Sequence, residues 1–486
     1  MIGPVRALRL CAISFVLLLS GASTTAAPTW RVEPARLLAA AQWEEARDAY
    51  TSALADHPKD PEAMYGLAVA LAQLGDVDGA DAELVAAIGV GFVDFHRFER
   101  DGRLDPLRQT PKFRTILGGW RALLDARADV NEKALRRFLG RGGTIVRDER
   151  LRLIYASAWQ PRSFELAQRE ITGVADWAYA TLFEEPAPDD PRPDPWVSVI
   201  LPTPERFEKM MIALGAGPNV GGLYDNDRGQ LICRDLGPSL RHEFLHVLHW
   251  RLLSRVNQRH PDWIMEGLGT LIEDADPDEA APGGMRPVPS WRTNIAKRLL
   301  DRGRLMPLAD LIAMDRRTFR SRRPNANYAQ ARAIMLYLYD RGDLSAFFHT
   351  YVRTSAQDAT GRAALESVLG APLDEIETGY RAWLGALPMV AEEIRPGMAS
   401  LGVVVGAGRG DGPVIERIPL GSNAASAGLR LGDVILTIDG RSTRTLLDLV
   451  RVLASYSVGE EVVLMVRRGR LLIEVSVRLT EQEGRK

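Results

Sequence analysis

The sequence predicts a multidomain chain with an α-helical repeat region, an α+β region and a small β-rich region. Three observations lead to this prediction. The chain has 486 residues, which is too long for one ordinary core. An alanine-rich stretch near its start repeats with a 34-residue period, and a glycine-punctuated run of short strands lies near its end. Between these two regions, strand-like and helix-like segments alternate.

Composition places the chain among soluble globular proteins. Hydrophobic residues make up 46% and charged residues 26% of the sequence, and both values are ordinary. A formal net charge of -2 gives no sign of a nucleic-acid partner or an anionic membrane surface. The two cysteines, Cys11 and Cys233, are too few for a disulfide framework or a cysteine zinc site.

Residues 1–27 have the order of a secretory signal peptide. Arg6 and Arg9 come first, an apolar run of about ten residues follows, and small residues continue to Ala26. The run is well short of the roughly 20 residues that span a bilayer, so we expect cleavage and no membrane span after it. The sequence therefore predicts an exported bacterial protein, periplasmic or secreted.

Residues 30–125 are predicted to form a helical repeat domain. Its small and large side chains recur 34 positions apart: Ala46, Tyr50 and Ala53 are matched by Ala80, Leu84 and Ala87. Small residues let paired helices approach each other, and large ones fill the gaps between them. The spacing resembles tetratricopeptide repeats, which implies a protein partner at this region. An ordinary antiparallel helical bundle is the alternative.

Residues 135–390 mix strands and helices and are predicted to form an α+β domain. The apolar runs 152–158 and 196–202 are typical of strands, and a helical pattern lies between them. Residues 220–235 predict two short strands around an Asn-Asp-Arg-Gly turn. Two segments with helical periodicity follow, at 239–255 and 261–276.

Residues 395–482 are predicted to form a compact domain of short strands and one main helix. Residues 421–440 combine a small-residue helix, a Gly-Leu-x-x-Gly-Asp turn and a strand that ends in Asp-Gly. This string resembles PDZ domains.

The PDZ resemblance implies a site for an extended peptide end. Leu401, Gly402 and Val403 stand where the carboxylate-binding segment is expected, and the helix with Leu446 and Leu447 forms the opposite wall. The ligand would then be a C-terminal peptide with an apolar side chain. The alternative is a groove filled by the chain's own linker, residues 389–399.

The motif that indicates chemistry is HEFLH at residues 242–246. On a helix, His242 and His246 lie one turn apart on one face, so both imidazoles can reach a single tetrahedral ion. Glu243 can then approach a water bound to that ion and take its proton as general base. A catalytic ion usually has three protein ligands, so the pattern predicts a third. The alternative is a surface helix with two solvated histidines.

A second motif, WIMEG at residues 263–267, places Glu266 20 residues after His246. Together the two motifs resemble gluzincins, which are thermolysin-like metallopeptidases. The resemblance implies one Zn²⁺ per chain held by His242, His246 and Glu266, with Glu243 as the catalytic base. It also implies a thermolysin-like zincin fold for residues 135–390.

The metzincin class of metallopeptidases is rejected by two positions. It would have a glycine at 249 and a histidine at 252, but this chain has His249 and Leu252. We expect His249 to pack and not to bind metal.

Two more residues are candidates for supporting roles at the site. Glu273 lies seven residues after Glu266 on the same helical face, where it can orient a ligand histidine. Tyr328 stands 62 residues after Glu266, similar to the spacing of the oxyanion-binding tyrosine in gluzincin aminopeptidases. The alternative for Tyr328 is a packing role.

Gly221, Gly222 and Leu223 stand just ahead of the HEFLH helix. In this stretch the chain resembles the PDZ-bearing glycyl-aminopeptidase type of gluzincin and the broader peptidase MA-like families of bacteria, in which such a strand runs along the substrate cleft. An exposed strand edge can pair with an extended peptide. That type has a glutamate after the triplet, which can hold a substrate's free amine, but Tyr224 replaces it here. Endopeptidase and aminopeptidase specificity therefore both stay open.

These features predict an exported zinc-dependent peptidase whose repeats and PDZ domain recruit substrate or partners. The alternative class is an envelope scaffold, in which the repeats and PDZ domain bind partners and the zincin core is vestigial. Neither the predicted base nor a predicted ligand is missing from the motifs.

Overall fold

The computed structural model describes residues 29–483, except for 215–219, 409 and 411. The predicted signal peptide, residues 1–27, lies outside the described residues. No helix in the described part of the chain is both long and apolar enough to cross a membrane.

Seven consecutive helices form the N-terminal region. Their bounds are α1 Thr29–Ala39, α2 Trp43–Asp56, α3 Pro61–Gln73, α4 Val77–Val90, α5 Phe95–Arg100, α6 Pro111–Gly118 and α7 Trp120–Leu139. Ala46 of α2 and Ala80 of α4 are both fully buried. A Cβ on Gly66 of α3 would lie 2.3 Å from the Tyr50 ring, so a glycine is needed where these helices touch. Of the three pairs 34 residues apart, Ala46 with Ala80 and Tyr50 with Leu84 are buried in both copies, whereas Ala53 is only half-buried.

A five-stranded sheet follows, in the order β1-β2-β3-β5-β4. Its strands are β1 Thr144–Asp148, β2 Leu153–Ser157, β3 Val197–Leu201, β4 Gly222–Asp225 and β5 Gln230–Cys233. The pairs β2–β3 and β3–β5 are parallel, whereas β1 and β4 pair antiparallel at the two edges. The predicted strands at 152–158 and 196–202 and the hairpin at 220–235 are confirmed, while β1 was not predicted.

The central strands β2 and β3 are buried along their whole length and mostly apolar, because both faces of the sheet are covered. On one face, Ile154 and Ile200 join the same core as the helices of the N-terminal region. On the other face, Tyr155 and Val199 pack against the helices that follow the sheet. The predicted domain boundary at residue 125 falls inside α7, and the N-terminal helices share their core with the sheet.

The helices on the second face include the two that carry the motifs. The helices on this face are α8 Pro161–Thr181, α10 Pro238–Val256, α11 Asp262–Glu273, α12 Trp291–Asp301, α13 Leu308–Ile312, α14 Arg316–Ser321, α15 Pro324–Asp340, α16 Leu344–Thr354, α17 Arg362–Leu369 and α18 Leu373–Ala386. The helix α9 Pro204–Ala213 lies on the first face, where Phe207 and Met211 join the core of the N-terminal helices. A short hairpin, β6 Ala275–Pro277 with β7 Met285–Pro287, directly follows α11. The two helical segments predicted around the motifs are confirmed as α10 and α11.

The C-terminal region is β-rich and has its own core. Its elements are β8 Ala399–Ser400, β9 Val404–Gly406, β10 Val414–Arg417, α19 Asn423–Ser426, β11 Val434–Ile438, β12 Arg441–Ser442, α20 Leu446–Leu453, β13 Glu461–Arg468, β14 Leu471–Arg478 and β15 Thr480–Glu481. The main sheet has the order β14-β13-β11-β10-β9, which leaves β9 at an edge. The predicted short strands and helices of this region are confirmed.

Candidate metal centre

Helix α10 carries the two candidate histidine ligands. Pro238 opens it, where a missing N–H costs nothing, and Asn257 closes it in the left-handed conformation. His242 and His246 are each only 2% exposed, and their Nε2 atoms lie 3.0 Å apart. The two solvated histidines of the alternative interpretation are therefore excluded by burial.

Helix α11 brings Glu266 to the same point. Its side chain is fully buried, and its Oε2 lies 3.3 Å from His242 Nε2 and 3.5 Å from His246 Nε2. Among the described residues, these three side chains form the one group of His, Cys, Asp and Glu whose ligand atoms converge in this way.

The convergent atoms fit a zinc ion. Two ligand atoms at about 2.0–2.2 Å from a tetrahedral zinc are about 3.4 Å apart, close to the separations observed. Glu266 Oε2 is buried and has no hydrogen-bond partner, which is rare for a carboxylate oxygen. Two imidazoles and a carboxylate are also the donor set that zinc takes in many catalytic sites.

Glu273 fixes the orientation of His242. Its Oε1 accepts a hydrogen bond from His242 Nδ1 at 2.9 Å, which leaves Nε2 directed at the other two candidate ligands. Arg292 of α12 donates to Glu273 from Nε at 2.7 Å. Burial opposes the Glu273 charge, but Arg292 and His242 bring the pKa of this carboxyl to about 2. Glu273 therefore occupies the place expected of a residue that orients a ligand histidine.

Arg320 of α14 holds the other oxygen of Glu266. It donates to Glu266 Oε1 at 2.6 Å and to Asp262 Oδ2 at 2.6 Å. Burial opposes the charge of Glu266, yet His246 and Arg320 hold the pKa of this carboxyl well below its ordinary range. Arg320 thus keeps Glu266 ionised and leaves its Oε2 for an ion.

Three residues at the site, Arg292, Arg320 and Gly269, were not predicted from the sequence. The two arginines lie outside both motifs, and no spacing rule links them to the ligands. Gly269 lies three residues after Glu266, and a Cβ there would be 2.9 Å from His242 Cε1. A glycine inside a helix is costly, and this cost is the one signal that could have identified the position.

The candidate base, Glu243, is buried on α10 beside the edge strand. Its Oε2 accepts the backbone N–H of Tyr224 at 3.0 Å. Burial raises the pKa of Glu243 above its ordinary value, which suits a group that takes up and releases a proton near neutral pH.

The two glycines before Leu223 let the edge strand β4 approach α10. A Cβ on Gly221 would lie 2.4 Å from Ser239 Oγ, and one on Gly222 would lie 2.7 Å from Glu243 Cγ. The structure places β4 at the edge of the sheet, paired with β5 on one side alone. Residues 222–225 are nevertheless buried, so the edge position of β4 does not expose it to solvent.

Tyr328 lies in the first turns of α15, near the ligand helices. Its ring contacts Phe319 at 5.3 Å between ring centroids, and the Arg292 guanidinium lies 5.9 Å from its centre. Burial and the Glu266 carboxylate raise the pKa of its phenol well above the usual value, which keeps the hydroxyl a hydrogen-bond donor.

His249 packs away from the convergent atoms, as expected. It is fully buried, and its Nε2 lies 2.8 Å from His260 Nδ1. Burial lowers the pKa of His249 well below its usual value, so the imidazole is neutral.

A cleft of about 1260 Å³ reaches His246. One side of it is formed by α10, α11 and the β4–β5 hairpin, with Trp250 and Met265 as apolar lining residues. The facing side is formed by the N-terminal helices, with Ala35 and Tyr50 among its residues. The repeat region is therefore a wall of the cleft.

The three candidate peptide-binding residues of the C-terminal region differ in their surroundings. Leu401 is buried in the core of this region. Gly402 has φ +65° and its N–H donates to Ser400 Oγ at 2.9 Å. Val403 is partly buried, and the following Val404 is exposed on the edge strand β9.

Two regions match known families. Residues 37–89 match the tetratricopeptide repeat, and residues 414–468 match the PDZ domain. No curated protein matches the chain. The protein thus contains a tetratricopeptide-like repeat and a PDZ domain, both of which generally mediate protein or peptide interactions.

Several protease structures are distantly similar to the chain. The HtrA-type protease AlgW with decapeptide is 25% identical, over 18% of this chain and 30% of that one, with a TM-score of 0.17. An aminopeptidase N family protein from Idiomarina loihiensis is 16% identical, over 68% of this chain and 65% of that one, with a TM-score of 0.28. The chain thus spans about a third of the first and just under two thirds of the second. Likeness at this level assigns neither fold nor activity to residues 135–390.

Proposed function

We propose that the protein is a zinc-dependent peptidase. The observation that carries this proposal is the convergence of His242 Nε2, His246 Nε2 and Glu266 Oε2 within 3.5 Å of one another. A buried carboxylate, Glu243, follows the first of these ligands on the same helix. Three ligands and a base are the parts that metal-assisted hydrolysis of a peptide bond requires.

One Zn²⁺ per chain, when bound by these ligands, would polarise the scissile carbonyl and lower the pKa of a water molecule. Glu243 accepts the proton of the attacking water and passes it to the leaving amine nitrogen. The Tyr224 N–H holds one Glu243 oxygen in place, and the raised pKa lets the carboxyl act in both directions. The Tyr328 hydroxyl donates to the oxyanion that develops on the carbonyl.

The substrate in this proposal is a polypeptide that enters between the N-terminal helices and α10. The cleft volume of about 1260 Å³ exceeds that of ordinary small-molecule pockets and holds several peptide residues. The repeat region then confines the substrate, and the PDZ domain recruits a substrate or partner. Placing a tryptophan at Ala35 narrows the cleft and should raise KM for long peptides without loss of zinc.

The proposed peptidase is exported, and its action on peptide ends or on internal bonds can be tested. Residues 1–27 favour export to the periplasm or beyond. Tyr224 stands where an amine-binding glutamate would favour aminopeptidase action, so both peptidase types are tested together. Equal cleavage of free and amine-blocked peptides indicates an endopeptidase, whereas cleavage of the free form alone indicates an aminopeptidase.

Elemental analysis and a quenched-peptide digest test the proposal. The wild-type chain should hold about one zinc after loading and desalting, and His246→Ala should abolish it because a ligand is lost. Glu243→Gln should keep the zinc and lower hydrolysis by at least about 100-fold, since the proton acceptor is removed.

His349→Ala is the matched control, because His349 is an exposed histidine outside the site, and its zinc and activity should be unchanged. A wild-type chain that stays metal-free contradicts the zinc site. Zinc binding without hydrolysis of any peptide would instead favour the scaffold alternative.

A further inference from the structure

The PDZ domain is docked beside the metal centre, and none of its described residues lines the cleft. Gly410, which precedes β10, accepts a hydrogen bond at its backbone oxygen from the Leu236 N–H at 3.1 Å. Leu236 lies just before α10. Arg441 and Arg451 pair with Asp276 at 3.0 and 2.7 Å, just after α11. The domain therefore touches the chain next to both helices that carry the candidate ligands.

Arg444 is the most deeply buried charge of this interface. Its side chain has no exposed surface, although it lies between two domains. Its Cβ and Cγ lie against Gly237, where an added Cβ would be only 2.5 Å away. Gly237 is the residue directly before α10, so Arg444 packs under the start of the helix with the histidines.

The Arg444 guanidinium meets Glu170 of α8. Its Nε and Nη2 lie 3.2 and 3.1 Å from Glu170 Oε1. The other oxygen, Glu170 Oε2, accepts from Arg241 Nη1 at 3.0 Å. Glu170 is therefore held between an arginine of the PDZ domain and an arginine of the metal-binding helix.

Arg241 continues this network to the site. It directly precedes His242, and its second Nη donates to the backbone oxygen of Glu273. The Glu273 carboxylate in turn accepts from His242 Nδ1 at 2.9 Å. An unbroken series of contacts thus runs from Arg444 through Glu170, Arg241 and Glu273 to the candidate ligand His242.

We propose that Arg444 of the PDZ domain is a positioning residue for the metal centre. By holding Glu170, it fixes Arg241, which ties the C-terminal end of α11 to α10 and so sets Glu273 against His242. Residues that orient a metal ligand typically change metal affinity by about 10–100-fold when they are lost. The inference rests on the proposed zinc site and gives the PDZ domain a role in forming it, besides peptide binding.

Zinc affinity of full-length variants, measured by competition with a chromophoric chelator, tests this role. Arg444→Gln should weaken zinc binding by at least about tenfold and lower kcat with little change in KM. Arg444→Lys keeps the charge near Glu170 and should restore most of the affinity. Arg451→Gln is the matched control, because it removes an interface ion pair that does not contact Arg241, and its zinc affinity should stay within about twofold.

A double-mutant cycle keeps the test independent of folding defects. Glu170→Gln breaks the same series of contacts from the other domain, so it should weaken zinc as Arg444→Gln does. The double variant should lose about as much affinity as either single one, since residues in one network are not additive.

Three outcomes overturn the inference alone, and a fourth overturns it together with the proposed function. The first is an unchanged zinc affinity in both Arg444→Gln and Glu170→Gln. The second is a loss of zinc affinity in Arg451→Gln as large as that in Arg444→Gln, which would show that any weakening of the domain interface has this effect. Fully additive losses would also contradict a shared network. A wild-type chain that binds no zinc overturns the proposed function together with this inference, whereas the first three outcomes leave the proposed function intact.

Discussion

The backbone N–H of Tyr224 donates to the Glu243 carboxylate at 3.0 Å. A strand at the edge of a sheet thus orients an acidic side chain on the neighbouring helix. This contact requires β4 to lie directly on α10, and Gly222 permits it because a Cβ there would meet both Glu243 Cγ and Cys233 Sγ.

Gly222→Ala should lower peptidase activity without removing zinc. The added methyl would lie 2.7 Å from Glu243 Cγ and should displace the carboxylate, and a shift of about 1 Å can cost about 100-fold in rate. Peptide turnover and zinc content are measured on the same sample. Gly89→Ala is the control, since a Cβ there meets nothing within 4 Å. Normal turnover in Gly222→Ala would show that Glu243 tolerates the displacement.

Tyr328→Phe should reduce kcat and leave KM and zinc content close to wild type. The change removes one donor to the developing oxyanion, and the loss of such a donor costs roughly 3 kcal/mol in the transition state. Steady-state kinetics and thermal unfolding are compared with those of Tyr337→Phe, a tyrosine on the same helix. A lower melting temperature with normal kcat would assign Tyr328 a packing role.

Peptides with a free apolar C-terminus should bind the PDZ domain, and their amidated copies should bind much less. The edge strand β9 can accept an added strand, and backbone amides near Gly402 can hold a carboxylate. Titration of the full-length Glu243→Gln variant avoids cleavage of the peptides. Equal binding of the free and amidated forms would contradict carboxylate capture, and no binding at all would favour a groove that the linker occupies.

Asp194→Asn should destabilise the fold near neutral pH and lose this effect in acid. Asp194 is buried between Arg255, which donates at 2.9 Å, and His96 at 3.6 Å. Burial opposes its charge, but His96, Arg251 and Arg255 hold the pKa of this carboxyl below its ordinary range.

Because the pKa of Asp194 is lower in the folded state than in the unfolded state, its charge stabilises the fold at pH values above the unfolded-state pKa of about 4. This stabilisation is lost progressively as the pH falls from that value through the folded-state pKa. Removing one partner of a buried ion pair costs about 3 kcal/mol. In urea unfolding, the free energy of unfolding of Asp194→Asn should therefore be lower than that of wild type by about this amount at pH 7, and by less at pH 3. The control is Asp56→Asn, at an exposed residue, and its free energy of unfolding should equal that of wild type at both pH values. A loss of stability in Asp194→Asn that does not change with pH would rule out the Asp194 charge as the cause.

The local sequence was sufficient to predict structural features that depend on residues close together in the chain. The strands β2 and β3 were predicted because burial on both faces makes them mostly apolar. The strand β1 was missed because its residues are mostly half-buried, so neither an apolar run nor an alternation marks it. Similarly, Glu273 was predicted from its seven-residue distance to Glu266, which is two helical turns.

The sequence by itself determined which side chains are the candidate ligands and the candidate base. The 3.6-residue periodicity of an α-helix places His242 and His246 on one face of α10, whatever residues surround them. Only the tertiary structure decided which distant residues surround the candidate site: Arg320 of α14 contacts Glu266, Arg292 of α12 contacts Glu273, and Arg444 of the PDZ domain contacts Glu170. The cleft wall likewise comes from the N-terminal helices. These contacts join residues far apart in the chain, and they form only where packing of separate elements has already brought the backbones together, so no local pattern encodes them.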